Sequence, residues 1–109
     1  MATQFKNKVV KEIGLDPILA LETDAGTRST IVGLSLANLK DGVVYVSILI
    51  GDDTSITGFY LRDVMLPPNT SLRALSAGEK LILAPNNTLY LQADEDEACD
   101  AVISYVDIV

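Results

Sequence analysis

The chain has 109 residues, of which 49% are hydrophobic and 21% charged, with a formal charge of −7 and no histidine. This length and composition are typical of one soluble domain around a single core. The absence of histidine excludes imidazole-based hydrolysis and histidine-based zinc sites, and one cysteine cannot form an internal disulfide.

The charge balance limits the partners that we expect. Eight basic residues stand against fifteen acidic ones, whereas binding a phosphate backbone needs clustered Lys and Arg. The longest apolar run, residues 43–50, is far shorter than the roughly 20 residues that span a bilayer, and no apolar signal segment follows the N-terminus. We therefore predict no direct nucleic-acid binding, no membrane association and no secretion signal.

Short runs rich in Val, Ile, Leu and Tyr alternate with clusters of Gly, Pro, Asn and Asp, and no convincing amphipathic helix is present. This spacing is typical of a sandwich or a barrel. We predict an all-β fold, a single antiparallel β-sandwich, jelly-roll-like, with about eight or nine short strands. The predicted strands are 5–13, 17–22, 30–39, 43–51, 58–66, 71–75, 80–83, 88–92 and 100–108.

Two turns carry the clearest signals. Asp41-Gly42 lies between the apolar residues Leu39 and Val43, and a short Asp-Gly connection is a strong hairpin signal. It predicts antiparallel pairing of residues 31–39 with residues 43–50. The segment Pro85-Asn86-Asn87 predicts a second tight turn, with its proline favouring an edge or a bulge.

The alternation of apolar residues indicates which faces are buried. In residues 88–92, Leu89 and Leu91 point one way and the polar positions the other, as in a strand with one solvated face. Residues 43–50 are apolar at almost every position. They predict a central strand whose second face is covered either by the same chain or by a neighbouring subunit.

No residue set supports catalysis or a cofactor. The acidic run Asp94, Glu95, Asp96 and Glu97 lacks the alternating ligands and central glycine of a calcium loop, so we interpret it as a solvated loop. Asp52 is interpreted as a turn residue that binds its own backbone. Cys99 begins the last predicted strand without a neighbouring base and is interpreted as a small buried hydrophobe. We predict that the protein is not an enzyme and has no catalytic, cofactor-binding or metal-binding residues.

Charge is distributed unevenly along the chain. Lys6, Lys8 and Lys11 share the N-terminal segment with Phe5, whereas an acidic run lies near the other terminus. We predict an N-terminal arm over residues 1–10 that adds to the sheet of a neighbouring subunit, and a β-sandwich domain over residues 11–109. The predicted subunit contacts are Phe5, Lys6, Lys8, Asp94, Glu95, Asp96 and Glu97.

Four segments carry a resemblance to a known group of proteins. They are AGTRSTIVGLSLAN (25–38), PPNTSL (67–72), GEKLILAPNN (78–87) and DAVISYVDI (100–108). In this order they resemble small virion structural proteins of tailed bacteriophages, including cyanophage-like ones, over most of residues 5–109.

The resemblance implies a non-enzymatic component of the head, neck or tail, such as a capsid decoration or cement protein. It implies a homo-oligomer that contacts other virion proteins of the capsid, neck or tail. The expected location is the virion, assembled in the cytoplasm of the bacterial host.

A second class of function is open, namely a carbohydrate-binding or receptor-binding β-sandwich module. Such modules use exposed aromatic rings as a platform. The rings that this chain offers are Phe5, Tyr45, Phe59, Tyr60, Tyr90 and Tyr105.

Overall fold

The structure is a computed structural model that describes residues 3–75 and 80–109. Within these ranges it contains nine β-strands and no helix, and therefore no helix that could cross a membrane. The strands are β1 (Thr3–Ile13), β2 (Ile18–Glu22), β3 (Arg28–Asn38), β4 (Val44–Gly51), β5 (Thr57–Leu66), β6 (Ser71–Arg73), β7 (Leu81–Leu83), β8 (Thr88–Ala93) and β9 (Cys99–Ile108).

All nine predicted strands are confirmed, with ends that differ by at most two residues. Residues 1–2 of the predicted arm and residues 78–79 of the resembling segments lie outside the described residues. The apolar runs and the turn residues between them were thus sufficient to identify the strands.

The strands form two antiparallel sheets. The five-stranded sheet has the order β1-β9-β3, with β6 and β7 both paired to the other side of β3. The four-stranded sheet has the order β2-β8-β4-β5. Because β6 and β7 together occupy one strand position, this order is that of a jelly roll built from two Greek keys. The predicted jelly-roll-like β-sandwich is confirmed.

The core lies between the two sheets. From the four-stranded sheet, Val46, Ile48 and Leu91 contribute side chains that are at most 1% exposed. From the five-stranded sheet, Ile31 and Ile103 are completely buried. Strand β4 pairs with β8 on one side and with β5 on the other, so the prediction of a central strand is confirmed.

The predicted hairpin between residues 31–39 and 43–50 is wrong. Strand β3 pairs with β9, β6 and β7, whereas β4 lies in the other sheet between β8 and β5. The connection through Asp41-Gly42 reverses the chain, but it carries the chain from one sheet to the other. The turn at residues 85–87 is confirmed, and it likewise joins β7 of one sheet to β8 of the other.

Asn38 explains why the first of these turns crosses between the sheets. Its side-chain nitrogen lies 2.9, 3.0 and 3.1 Å from the carbonyl oxygens of Gly42, Leu66 and Pro67, and its side-chain oxygen accepts a 2.7 Å hydrogen bond from the Lys40 amide. Asn38 is only 9% exposed. One buried amide therefore joins the β3–β4 connection to the end of β5. The chain passes from one sheet to the other at both of these points, and Asn38 holds them together at one corner.

We expect Asn38→Ala to lower the free energy of unfolding by about 2–4 kcal/mol, because the Leu66 carbonyl loses its donor while it remains buried and two partly buried hydrogen bonds are lost with it. Chemical denaturation monitored by circular dichroism measures the loss. The matched control is Asn7→Ala on the exposed part of β1, which we expect to change stability by less than about 0.5 kcal/mol. Equal stabilities of the two variants would contradict this role of Asn38.

Cys99 is completely buried, as predicted, and burial raises the pKa of its thiol to about 11. We expect the native thiol to react with Ellman's reagent at pH 8 at least about 100-fold more slowly than in guanidinium chloride, because the thiolate is the reactive form. Absorbance at the colour band of the released product follows both reactions. Comparable rates in the two conditions would show that Cys99 is accessible in the folded chain.

Candidate assembly surface

Strand β1 forms one border of the five-stranded sheet. Its partner is β9, in an unbroken antiparallel register from Thr3↔Ile108 to Val10↔Ala101, and its other side meets no strand among the residues that the structure describes. All seven residues of β1 from Thr3 to Val9 are exposed. The four-stranded sheet therefore does not cover this end of β1.

The other borders are less regular. Strand β2 has five residues, follows Pro17 and has a register shift. Strand β5 has two register shifts against β4, and β6 and β7 have three residues each. Short, bulged and interrupted edges are poor templates for another strand. The N-terminal part of β1 is thus the longest regular edge among the described strands.

The two faces of β1 differ in chemistry. Lys6 and Lys8 stand opposite Tyr105 and Ile103 of β9, on the face that holds the core farther along the sheet. The amino group of Lys6 lies 3.0 Å from the carboxylate of Asp107.

The predicted division between an N-terminal arm and the domain at residue 10 stays a prediction. A register shift directly after Val10 separates the regular part of β1 from Ile13.

The ion pair with Asp107 raises the pKa of Lys6, chiefly through the hydrogen bond between the two side chains. A raised pKa means that the pair stabilises the folded chain at pH values below the ordinary lysine pKa and loses its effect as the pH rises through the raised value. The carboxylate of Asp107 also accepts a hydrogen bond from the Ser29 hydroxyl. Three strands are thus connected at the end of the sheet that carries Lys6.

The opposite face of β1 continues into a mainly apolar row, interrupted by Thr30, on the outside of the sheet. The register aligns Phe5, Val106, Thr30 and Ile82 across four strands. Phe5 is 85% exposed and Ile82 is 60% exposed. Sequence reasoning identified Phe5 but not the rest of the row, because its members lie on strands that are far apart in the sequence.

The acidic loop, residues 94–97, connects β8 to β9 and is exposed throughout, as predicted. Its ends are held on the β1–β2 connection, where the amide of Ala93 donates to the Gly14 carbonyl at 2.9 Å and the amide of Ala98 donates to the Ile13 carbonyl at 2.8 Å. Six residues of β9 separate Cys99, next to this loop, from the Tyr105 partner of Lys6, which is about 20 Å of strand.

The predicted contact residues therefore form two separate groups in one chain. Phe5, Lys6 and Lys8 lie at one end of the β1–β9 pair, and residues 94–97 lie at the other. The molecule measures 45 × 27 × 21 Å. A contact between the two groups would require two copies of the chain, and it stays a prediction.

Beside the acidic loop is an open groove of about 520 Å³, whose acidic lining residues are Glu12, Asp16, Asp96 and Glu97. Within residues 3–75 and 80–109, no group of three or more potential ligand residues is arranged to hold a metal ion. Asp52 lies at a turn, as its sequence context predicts. One carboxylate oxygen of Asp52 accepts hydrogen bonds from the amides of Thr54 and Ile56 at 2.9 and 3.1 Å, and hydrogen bonds from the Thr54 side chain and these amides lower its pKa.

The aromatic residues that the second function class requires are unevenly exposed. Tyr60 and Tyr105 pack against the core, and Tyr90 is half-buried on the outside of the four-stranded sheet. Tyr45 and Phe59 are 42% and 51% exposed, and both line one open groove of about 300 Å³ on that face. The sequence named both rings, but not their shared location.

No protein-family model matches the chain, and no curated protein matches its sequence. Solved structures with a similar fold include the following two. A chain from the disulfide-linked pili of Bacillus endospore appendages has a TM-score of 0.60 and 5% identity, with 98% of this chain and 88% of that chain covered. A chain from the acid-stable capsid of the Helicobacter pylori bacteriophage KHP30 has a TM-score of 0.54 and 11% identity, with 100% and 89% covered. At these identities the likeness shows a shared fold.

Proposed function

We propose that this protein is a non-enzymatic structural subunit of a bacteriophage virion, which assembles with copies of itself and with other particle proteins of the capsid, neck or tail. The observation that carries the proposal is the regular, exposed edge of β1. Two further observations support the proposal. The strands have jelly-roll connectivity, and the whole chain is similar in fold to a chain of a phage capsid and to a chain of a pilus. Both of those neighbours belong to assemblies of protein subunits.

The edge of β1 offers two kinds of contact to a second copy. Its outward backbone groups can form hydrogen bonds with another strand, and regular sheet edges recruit strands in this way. The exposed side chains of Phe5 and Val9 lie on one face of the same segment. Covering each of them would contribute about 1.5–3 kcal/mol, so the two together are a substantial part of a weak interface.

The same segment is also suited to exchange between copies. Of the eleven residues in β1, only Val10 and Ile13 are buried, so residues 3–9 are held mainly by backbone pairing with β9 and by the Lys6 ion pair. Glu12 has a φ of 56°, beside the register shift, and the Glu12 amide donates to the Asp100 carboxylate at 2.8 Å. A hinge at residues 11–12 would let residues 3–10 leave β9 of their own chain and pair with β9 of a neighbour, as in domain swapping.

The charges favour a particular direction of assembly. Lys6 and Lys8 lie at one end of the β1–β9 pair and residues 94–97 at the other. A head-to-tail contact between copies brings opposite charges together, whereas a contact between two acidic ends does not. The charges thus favour a directional end-to-end contact, with the N-terminal end of one copy against the acidic loop of the next. This contact is separate from strand exchange, which would pair Lys6 with β9 of the neighbour.

Removal of residues 1–10 tests the function directly. We expect the truncated protein to form smaller oligomers than the full chain by light scattering and to be incorporated less into particles, because the edge and Phe5 are both lost. Phe5→Glu in the full chain makes the same test without removing a strand. Ile56→Glu is the matched control, since Ile56 is 68% exposed but lies in the β4–β5 loop.

Unchanged oligomer size and unchanged particle incorporation for both the truncated protein and Phe5→Glu would refute assembly through β1. An equal loss in Ile56→Glu would also refute it, because the effect would then come from general surface polarity. Location of the protein in an electron-microscopy map of intact particles tests the virion role itself.

A charge reversal tests the direction of assembly. We expect Lys8→Glu to weaken self-association by up to about fivefold at low salt and by less at high salt, because exposed ion pairs contribute less than about 1 kcal/mol and are screened. Glu95→Lys in the same chain should restore part of the association. Sedimentation velocity measures both effects, and Lys80→Glu, an exposed lysine before β7, is the control for net charge. Equal effects of Lys8→Glu and Lys80→Glu would argue against the head-to-tail contact.

A further inference from the structure

The outer face of the four-stranded sheet carries a groove that shares only Asp94 with the proposed assembly contacts. It has a volume of about 300 Å³ and lies across β4, β5 and β8. Its principal lining residues are Tyr45, Phe59, Arg62, Asp63, Gln92 and Asp94. The groove is therefore on a different sheet from the edge of β1, and it combines two aromatic rings with donors and acceptors of hydrogen bonds.

Two bulges in β5 bring its residues into this groove. The register places Val46 opposite Val64 but Ile48 opposite Leu61, so Arg62 and Asp63 together face Ser47. A second shift, between Ile48↔Leu61 and Leu49↔Phe59, accommodates Tyr60 as an extra residue.

In a regular strand, Phe59 and Arg62 would lie on opposite faces, because their separation is an odd number of residues. The bulges put Phe59, Arg62 and Asp63 beside the same groove. Asp63 has a φ of 49°, and its amide donates to the Ser47 hydroxyl at 3.0 Å. Bulges that redirect side chains are common next to functional sites.

Two polar side chains of the groove, Asp94 and Gln92, are held in position by the backbone. The Tyr45 amide donates to the Asp94 carboxylate at 3.0 Å, and the Asp94 amide donates to the Tyr45 carbonyl at 3.1 Å. The side-chain nitrogen of Gln92 donates to the Leu15 carbonyl at 2.8 Å. Groups that are fixed before binding lose little conformational entropy when a ligand arrives.

The two aromatic rings of the groove are accessible to solvent, and one of them is restrained by a neighbouring arginine. Tyr45 and Phe59 are about half-exposed, at 42% and 51%. The guanidinium group of Arg62 lies 5.2 Å from the centre of the Phe59 ring, a cation–π distance that restrains both groups. The groove thus presents rings for an apolar ligand surface, with an arginine and carboxylates at its border.

From this arrangement we propose that the groove binds neutral carbohydrate. A sugar ring has an apolar face of C–H groups, which stacks on aromatic rings, and a rim of hydroxyl groups, which bonds to carboxylates, amides and guanidinium groups. A volume of about 300 Å³ is at the small end of ligand sites and suits about one or two sugar units.

Charge and edge geometry favour this ligand over others. Two carboxylates, Asp63 and Asp94, line the groove with one arginine, which disfavours acidic sugars and phosphates. A peptide that binds by strand addition needs a regular row of backbone groups, and the two bulges interrupt that row on β5. The observations thus favour a neutral sugar over a peptide.

The test is titration of the full-length protein, labelled with nitrogen-15, with cellotetraose, maltotetraose, triacetylchitotriose and lactose. We expect at least one of these neutral sugars, at millimolar concentration, to shift the amide signals of Tyr45, Phe59 and Gln92. Phe59→Ala should weaken that binding about tenfold, since a stacked ring is removed. Met65→Ala is the matched control, because Met65 is opposite Tyr45 on β5 and 55% exposed but does not line the groove.

Three results would overturn the proposal, namely no shift with any of the four sugars, shifts confined to residues outside the groove, or an equal loss in Phe59→Ala and Met65→Ala. Stronger binding of sialyllactose than of lactose would show that the groove does not prefer neutral sugars. Binding of an unstructured peptide at the groove in place of sugar would show that the ligand is not a carbohydrate. Phe59→Ala should leave oligomer size unchanged and Phe5→Glu should leave sugar binding unchanged, so this proposal and the assembly proposal can fail separately.

Discussion

The burial of one shared apolar layer between two sheets is the constraint on which the rest of the structure depends. Each central strand contributes alternate side chains to that layer, as Val46 and Ile48 do from β4 and Ile103 does from β9. Because the layer extends only as far as the two sheets overlap, the part of a border strand that lies outside the overlap is exposed on both faces. The first seven residues of β1 are in that position.

The charged side chains of β1 mark where the layer ends. Lys8 shares a face with Ile103, which is completely buried, and Lys6 shares it with Tyr105. Lys8 has no ion pair among the residues that the structure describes, and covering a lysine that lacks a counter-charge is costly, so the four-stranded sheet does not extend over Lys8. The same two lysines discourage unspecific pairing of a long free edge. The residues that end the core thus also restrict which partners β1 can accept.

The sequence predicted the strands well because each strand is a local pattern. The alternation of Leu89 and Leu91 with polar residues identified β8, and Cys99 was correctly predicted as a buried residue. The sheet to which each strand belongs is not local. Asp41-Gly42 signals a reversal equally well within one sheet and between two, and the bonds of Asn38 to Leu66 and Pro67 that fix the crossing come from residues far along the chain.

The same limit applies to the surfaces. Phe5 was identified from its own segment, but the row that it begins contains Val106 and Ile82, which only the register of the sheet brings together. The two bulges of β5 were not predicted from the sequence either, although the consecutive polar residues Arg62 and Asp63 interrupt the apolar alternation of this strand. Once the bulges are present, the outer face of the four-stranded sheet differs in shape and chemistry from the edge of β1. A subunit that assembles through the edge of one sheet therefore keeps the outer face of the other sheet accessible to a small ligand.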